Sequence, residues 1–250
     1  MANYWDPDIA EMELSAVEKN GMQFYRNFST AIESKRVEKL VERFNEEQPL
    51  LDNFTKFAAL IAQEQPLSLS VIACAYADDL LKEMFKREIP ATVPGGRNEL
   101  LNGFGPLSRL SQRVQVAYAF GWMNPDILVE LDLLRRIRND ISHKWDLDQL
   151  QSKLRELAER KQHPIEEHLG DGTHFPEGFH TNLSVLAKFR VRVLWLIGRV
   201  FYESHYFVPA VKLRLDPQSV LYSSKPPALL GSMAKVCIAQ TRAVIARDAG

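Results

Sequence analysis

The stretch Leu131-Asp132-Leu133-Leu134-Arg135-Arg136-Ile137-Arg138-Asn139-Asp140-Ile141-Ser142-His143 reads as one amphipathic helix. Leu134, Ile137 and Ile141, with Trp145 beyond them, recur at i, i+3, i+7 and i+11, which keeps apolar side chains on one side of a helix with 3.6 residues per turn. Asn124-Pro125-Asp126 supplies the start. The Asn caps, the proline takes the first helical position, where an N–H has no partner to lose, and the acid sits at the positive end of the helix dipole.

The same period continues outward on both sides. Ser108 is a good N-cap for a helix to about residue 123, with Leu110, Val114, Ala117 and Gly121 on one stripe. Upstream, residues 68–88 carry Ala73, Ala77, Leu80 and Met84, and residues 50–64 carry Leu50, Phe54, Phe57, Ala58 and Ile61. Residues 8–44 read as one helix in which Phe24, Phe28 and Ile32 recur every four residues among charges of alternating sign. Downstream, helices are expected over about 148–161, 183–205 and 228–247, with a long Gly/Pro loop at 162–182. Val211-Lys212-Leu213-Arg214-Leu215 alternates with period two before Asp216-Pro217-Gln218-Ser219, which leaves a small hairpin open there. The expected fold class is all-α, a multi-helix bundle with that C-terminal β-hairpin as its one irregular addition.

The 250 residues hold 31 Lys plus Arg against 32 Asp plus Glu, a net charge of -1, with 46% hydrophobic and 25% charged residues. These proportions belong to a globular chain and exclude disorder or a collagen-like fibre. A globally basic surface, the simplest basis for nucleic-acid binding, is excluded as well. The charge is nonetheless uneven: residues 181–250 carry ten Lys plus Arg and three Asp plus Glu, hence +7, which leaves -8 for residues 1–180. Lys188, Arg192 and Arg199 fall near one side of their helix and are expected to form a solvated basic face.

Cys74 and Cys237 lie far apart among apolar neighbours and form no CxxC pair, as expected of two buried thiols in a reducing cytosol. The acidic start Met1-Ala2-Asn3-Tyr4-Trp5-Asp6 lacks the apolar core of a secretory signal, and Val193–Gly198, read as the most apolar run, is too short for a bilayer. A soluble cytoplasmic protein without membrane contact is the expectation. His163, His168, His174 and His180 share the 162–182 loop, but their spacing matches no ligand pattern, so no metal is expected. Gly103-x-Gly105 and Pro94-Gly95-Gly96 lack the strand or the Lys-Ser/Thr of a phosphate loop, and no cofactor is expected.

Arg138, Asn139 and His143 are the residues with chemistry in them. Asn139 and His143, four apart, share a helix face, and the long Arg138 side chain can swing toward it. An imidazole moves a proton near neutral pH, and a guanidinium holds a phosphate and its developing charge. Together they can activate a ribose 2'-hydroxyl for attack on the adjacent phosphodiester without a metal. Arg138 and His143 resemble the Arg-x4-6-His motif of the HEPN superfamily of small helical domains, many of them ribonucleases. The structural alternative is an Arg138 in surface ion pairs and a His143 at the negative end of the helix dipole.

A wider resemblance rests on three segments in order: Ala75-Tyr76-Ala77-Asp78-Asp79-Leu80-Leu81, Leu100 through Gly121 with its Gly105-Pro106-Leu107 turn and Ser108-Arg109-Leu110-Ser111-Gln112-Arg113 run, and Leu131 through His143. They resemble the mannitol operon repressor family over about residues 50–208. The resemblance implies an all-helical domain and a role in repressing transcription. The expected organisation is an N-terminal helical extension (1–48), the repressor-like domain (49–208) and a basic C-terminal extension (209–250). A helix-turn-helix with a basic recognition helix is lacking, so the expected route is contact with a partner protein rather than direct base reading, with direct DNA contact left open. A homodimer is admitted. The alternatives are a metal-independent endoribonuclease acting on RNA through Arg138, Asn139 and His143, and a structural scaffold in which both motif residues are dispensable. Arg113, expected to be the family-like arginine, either pairs internally with Asp78, Asp79 or Asp132 or lines a ligand cleft.

Overall fold

The computed structural model describes residues 5–45, 47–143, 147–160, 175, 179–206 and 228–249. Among these residues there is no strand, and the chain runs through ten α-helices. They are α1 (Pro7–Glu11), α2 (Ala16–Asn45), α3 (Glu47–Gln63), α4 (Pro66–Glu88), α5 (Arg97–Leu101), α6 (Leu110–Ala119), α7 (Pro125–His143), α8 (Leu147–Ala158), α9 (Val185–Tyr206) and α10 (Ala228–Asp248), with a single 3-10 turn at Phe179–Asn182. The all-α bundle is therefore the architecture. The hairpin expected near Val211–Leu215, Trp145 and three of the four loop histidines (His163, His168 and His174) lie outside the described residues.

Helix α9 is the axis. It packs against α3, α4, α7, α8 and α10 and touches α2. From Phe189 to His205 every side chain is buried. Phe189, Val193, Trp195, Leu196, Ile197 and Phe201 are almost wholly removed from water, each contributing about 1.5–3 kcal/mol of apolar burial. Phe54 of α3 stacks on Phe201 at 4.8 Å, and the Trp195 indole donates to Thr241 Oγ1 of α10 at 3.1 Å. The stripes read from sequence on α3 and α4 face this axis: Phe54, Phe57, Ala58 and Ile61, and Ala73, Ala77 and Met84, are all buried. Helix α10, inside segment 209–250, shares the same core through Leu229, Met233, Cys237 and Val244. It is the one described helix long and apolar enough, by length and composition, to cross a bilayer.

The expected solvated basic face on α9 is overturned. Arg192 is 0% exposed and Arg199 is buried, while Lys188 alone stays half-exposed. The physical reason is that α9 has a neighbour on every side, so its polar positions are enclosed too and each charge needs a partner inside. Arg192 grips Glu130 of α7 through Nη2 at 2.5 Å and Nε at 3.3 Å, and donates to the Arg160 carbonyl at 2.6 Å. Arg190 donates twice to the Glu64 carbonyl. Arg199 lies 3.9 Å from Glu203, whose other oxygen accepts the Asn124 N–H at the start of α7.

Three boundaries differ from the sequence reading. The expected helix over 8–44 is broken between Glu11 and Ala16, where Ser15 and Glu18 form a reciprocal capping box: Glu18 accepts the Ser15 N–H, and Ser15 Oγ accepts the Glu18 N–H. Helix α6 starts at Leu110 rather than at Ser108, with Gln112 accepting the Arg109 N–H. Gly121 does not sit in a helical stripe. Its φ of 63° places it just past the helix end, where the Trp122 N–H reaches back to the Ala117 carbonyl in a glycine-terminated cap. The start of α7 is as expected, with Asn124 Oδ1 accepting the Asp126 N–H.

Candidate functional site

The turn at Gly105-Pro106-Leu107 sets the geometry of the central helices. The Leu107 N–H folds back onto the Leu100 carbonyl. A Cβ at Gly105 would overlap the Glu99 and Leu100 carbonyls, so only glycine permits this crossing. The turn brings α6 across α4 and α7 and delivers Arg113, 1% exposed, to Asp78 of α4, with the Leu101 carbonyl accepting at 2.9 Å. Of the two roles open to Arg113, the internal pair is the one present, and Asp78 is its partner.

The last turns of α7 stand beside this pair. Asp132 receives both Arg135 and Arg136 through their Nε atoms at 2.9 and 2.8 Å. Arg138 is half-buried and donates from Nε and Nη2 to Asn139 Oδ1 at 3.2 and 2.8 Å. Asp140 ion-pairs with Lys153 and so ties the end of α7 to α8. Arg138 and Asn139, two of the three motif residues, are thus joined directly. His143 is the final residue of α7, one turn beyond Asn139, and the placement of its side chain lies outside the described residues. Across the interface, burial pushes the Cys74 thiol up to about 12, while the nearby Arg138 and Arg135 draw it down and Asp78 raises it. Cys74 and Cys237 are both buried and free.

The concave surface next to this cluster is formed by other residues. A groove of about 490 Å³ between α6, α7 and α8 is lined by Tyr118, Val129 and Leu133 and edged by Arg135, Arg136, Arg160, Asp132 and Glu156. Arg138 and Asn139 do not line it. Sequence reasoning missed Tyr118, Arg136 and Arg160 as a set. Tyr118 and Arg136 lie in segments that carry the family resemblance but have no role assigned there, Arg160 lies outside those segments, and the groove the three share joins three helices that no single segment spans. Tyr118 is 55% exposed one helical turn after the buried Val114, and that outward tyrosine beside an apolar stripe was the only signal on offer. A second concavity, about 620 Å³, lies between α3 and α4 over the end of α9. No cluster of His, Cys, Asp and Glu that could hold a metal occurs among the described residues.

Comparison of the chain with protein-family models, with curated proteins and with solved structures finds no match.

Proposed function

We propose that this chain is a repressor-like regulator of transcription that acts through contact with another protein, and that the α6–α7–α8 groove makes the contact. The observation that carries the reading is the composition of that groove: an exposed tyrosine and four aliphatic residues framed by three arginines, two acids and a glutamine. Tyr and Arg are the residues most enriched where proteins bind one another, as anchors that bury area at low entropic cost. The groove also lies within residues 50–208, the region over which the chain resembles the mannitol operon repressor family, and Tyr118 and Arg136 belong to the segments that carry the resemblance. Burial of Arg190, Arg192 and Arg199 supports protein contact over direct DNA binding, since these α9 cations are engaged inside the fold rather than offered to phosphates. The test pairs two readouts. Deleting the gene is expected to raise a defined set of transcripts, and Tyr118→Ala with Arg136→Glu is expected to copy that effect while the protein stays folded. Unchanged transcripts on deletion would remove the regulator reading.

A second reading rests on the Arg138–Asn139 hydrogen bond, which orients a guanidinium beside a polar amide on the turn that ends at His143. Under it the chain cleaves RNA without metal, Arg138 holding the phosphate, Asn139 positioning Arg138 and His143 moving the 2'-hydroxyl proton. Cleavage in the presence of a chelator, lost in Arg138→Ala and in His143→Ala, is the expected result. RNA left intact by the wild-type protein excludes this reading.

A further inference from the structure

Helix α2 has 30 residues, about 45 Å of helix. Of its described side chains only Arg43, near its C-terminal end, is buried. That end is anchored by the Arg43–Glu88 ion pair at 3.0 Å and by the His205 ring, which bonds the Arg43 carbonyl at 2.9 Å. Along the N-terminal half, Val17, Phe24 and Phe28 line one side and are 80%, 73% and 56% exposed. Gly21 and Ile32 fall on the same stripe. The short helix α1 does fold onto this arm, but on the opposite side. Arg26 holds Asp6 and Asp8 at 2.9 and 2.6 Å, and Lys19 reaches the Ala10 carbonyl at 2.7 Å. These contacts lie about half a turn around the helix from the stripe. Among the described residues the chain thus covers one face of the arm and leaves the apolar face in water.

The α3–α4 groove is the complementary feature. Both helices lie on α9 and make little contact with each other. Between them Phe57 stacks on Tyr76 at 4.3 Å and closes the floor with Phe201, while Leu60, Ile72 and Leu80 line the groove above it. Leu60 is 41% exposed. An amphipathic helix laid in an apolar groove uses this geometry, with anchors at i, i+4 and i+7. The lengths agree: Val17 to Ile32 on the arm, and Ile72 to Arg87 along the groove, are each sixteen residues, fifteen helical steps or about 22 Å. The arm is also rooted at the groove's own end, since His205 contacts the Arg43 carbonyl and lines the groove with Arg87. The root of the arm and one end of the groove thus meet at His205, and a two-fold axis would make the two arm-in-groove contacts identical.

We propose that two copies of this chain form a homodimer in which the Val17–Ile32 stripe of each arm lies in the α3–α4 groove of the other. Two such dockings bury on the order of 1,400 Å² in total, within the range of specific interfaces. The proposal does not rest on the regulatory reading, which uses the α6–α7–α8 face. Light scattering coupled to size exclusion tests it with the full chain. Wild type is expected at twice the chain mass. Phe24→Glu with Phe28→Glu, on the arm, and Leu60→Glu, on the groove rim, are each expected at the chain mass with unchanged helicity by circular dichroism. An equimolar mixture of the two variants keeps one intact arm and one intact groove, and is expected to recover a dimer weaker than wild type. A monomeric wild type, a mixture that stays monomeric, or a Leu60→Glu protein that dimerises like wild type would each overturn the exchange; the last result would point to arm-on-arm pairing.

Discussion

Helices α9 and α2 invert the usual placement of side chains in opposite ways. Helix α9 carries Arg190, Arg192, Arg199, Glu203 and His205 inside the bundle, whereas α2 carries Phe24, Tyr25 and Phe28 in water. What separates them is the number of neighbours. Helix α9 is enclosed by five helices, so burial is imposed on every position and charges survive only by pairing. Among the described residues the N-terminal half of α2 has only α1 beside it, on the side away from its apolar stripe. Buried charges in α9 are thus accounted for within one chain, while the exposed stripe of α2 calls for something outside it.

The comparison breaks most readily at Arg192. Arg192→Ala strands Glu130, 6% exposed, without its bidentate partner and frees the Arg160 carbonyl. The expected loss of folding stability by urea titration is about 3–5 kcal/mol. Replacing both partners, Arg192→Met with Glu130→Leu, is expected to recover most of it, because no charge is then left buried alone. If Arg192→Ala loses less than about 1 kcal/mol, α9 is not the enclosed axis described above.

His205 gives the next largest effect. Burial, with Arg87 and Arg43 close by, holds its imidazole at about 4, against the pull of its bond to the Arg43 carbonyl. The neutral ring is the folded form, and an unfolded chain takes up the proton near pH 6.5. Stability is therefore full above about pH 6.5 and falls as pH drops toward about 4, by up to roughly 3 kcal/mol in all. His205→Gln is expected to flatten that part of the stability profile. A smaller effect is expected at Gly198, where α9 and α10 touch. A Cβ there would sit 2.9 Å from Met233 Sδ, 3.2 Å from Cys237 Sγ and 3.4 Å from Phe54 Cζ. Gly198→Ala can be met by a shift of the flexible Met233, but Gly198→Val adds branches with no room, at about 2 kcal/mol.

The contrast also marks what could be read from sequence. Phe54, Phe57 and Ile61, or Ala73, Ala77 and Met84, follow a helical period and face the core as expected, because an amphipathic helix on the outside of a bundle shows its buried side in its sequence. Helix α9 is buried on all sides and has no such stripe to declare, so the rule that charges face water misplaces Arg192 and Arg199. The capping box Ser15-Ala16-Val17-Glu18 is a local signal for the break before α2, but it is embedded in a longer run of helical period. At the candidate site, helix spacing puts Asn139 and His143 on one face, and the Arg138–Asn139 bond between adjacent residues comes from the reach of the long Arg138 side chain. The groove of Tyr118, Arg136 and Arg160 joins three helices and depends on the Gly105 crossing, which no local pattern encodes.

The smallest expected effect is the most discriminating for α2. Phe24→Gln with Phe28→Gln removes two large aromatics, a change that would cost about 3–5 kcal/mol for a single ring in the core. Here both rings are more than half exposed and touch little besides each other, at 6.3 Å between centroids. Gln is a somewhat better helix former than Phe. Stability measured at a dilution where the protein is monomeric is therefore expected to change by less than about 0.5 kcal/mol. At high protein concentration the wild type should gain stability and the variant should not, because association adds only to the folded form that can dock. A concentration-independent loss of several kcal/mol would place the stripe in a core of its own chain and erase the difference between α2 and α9.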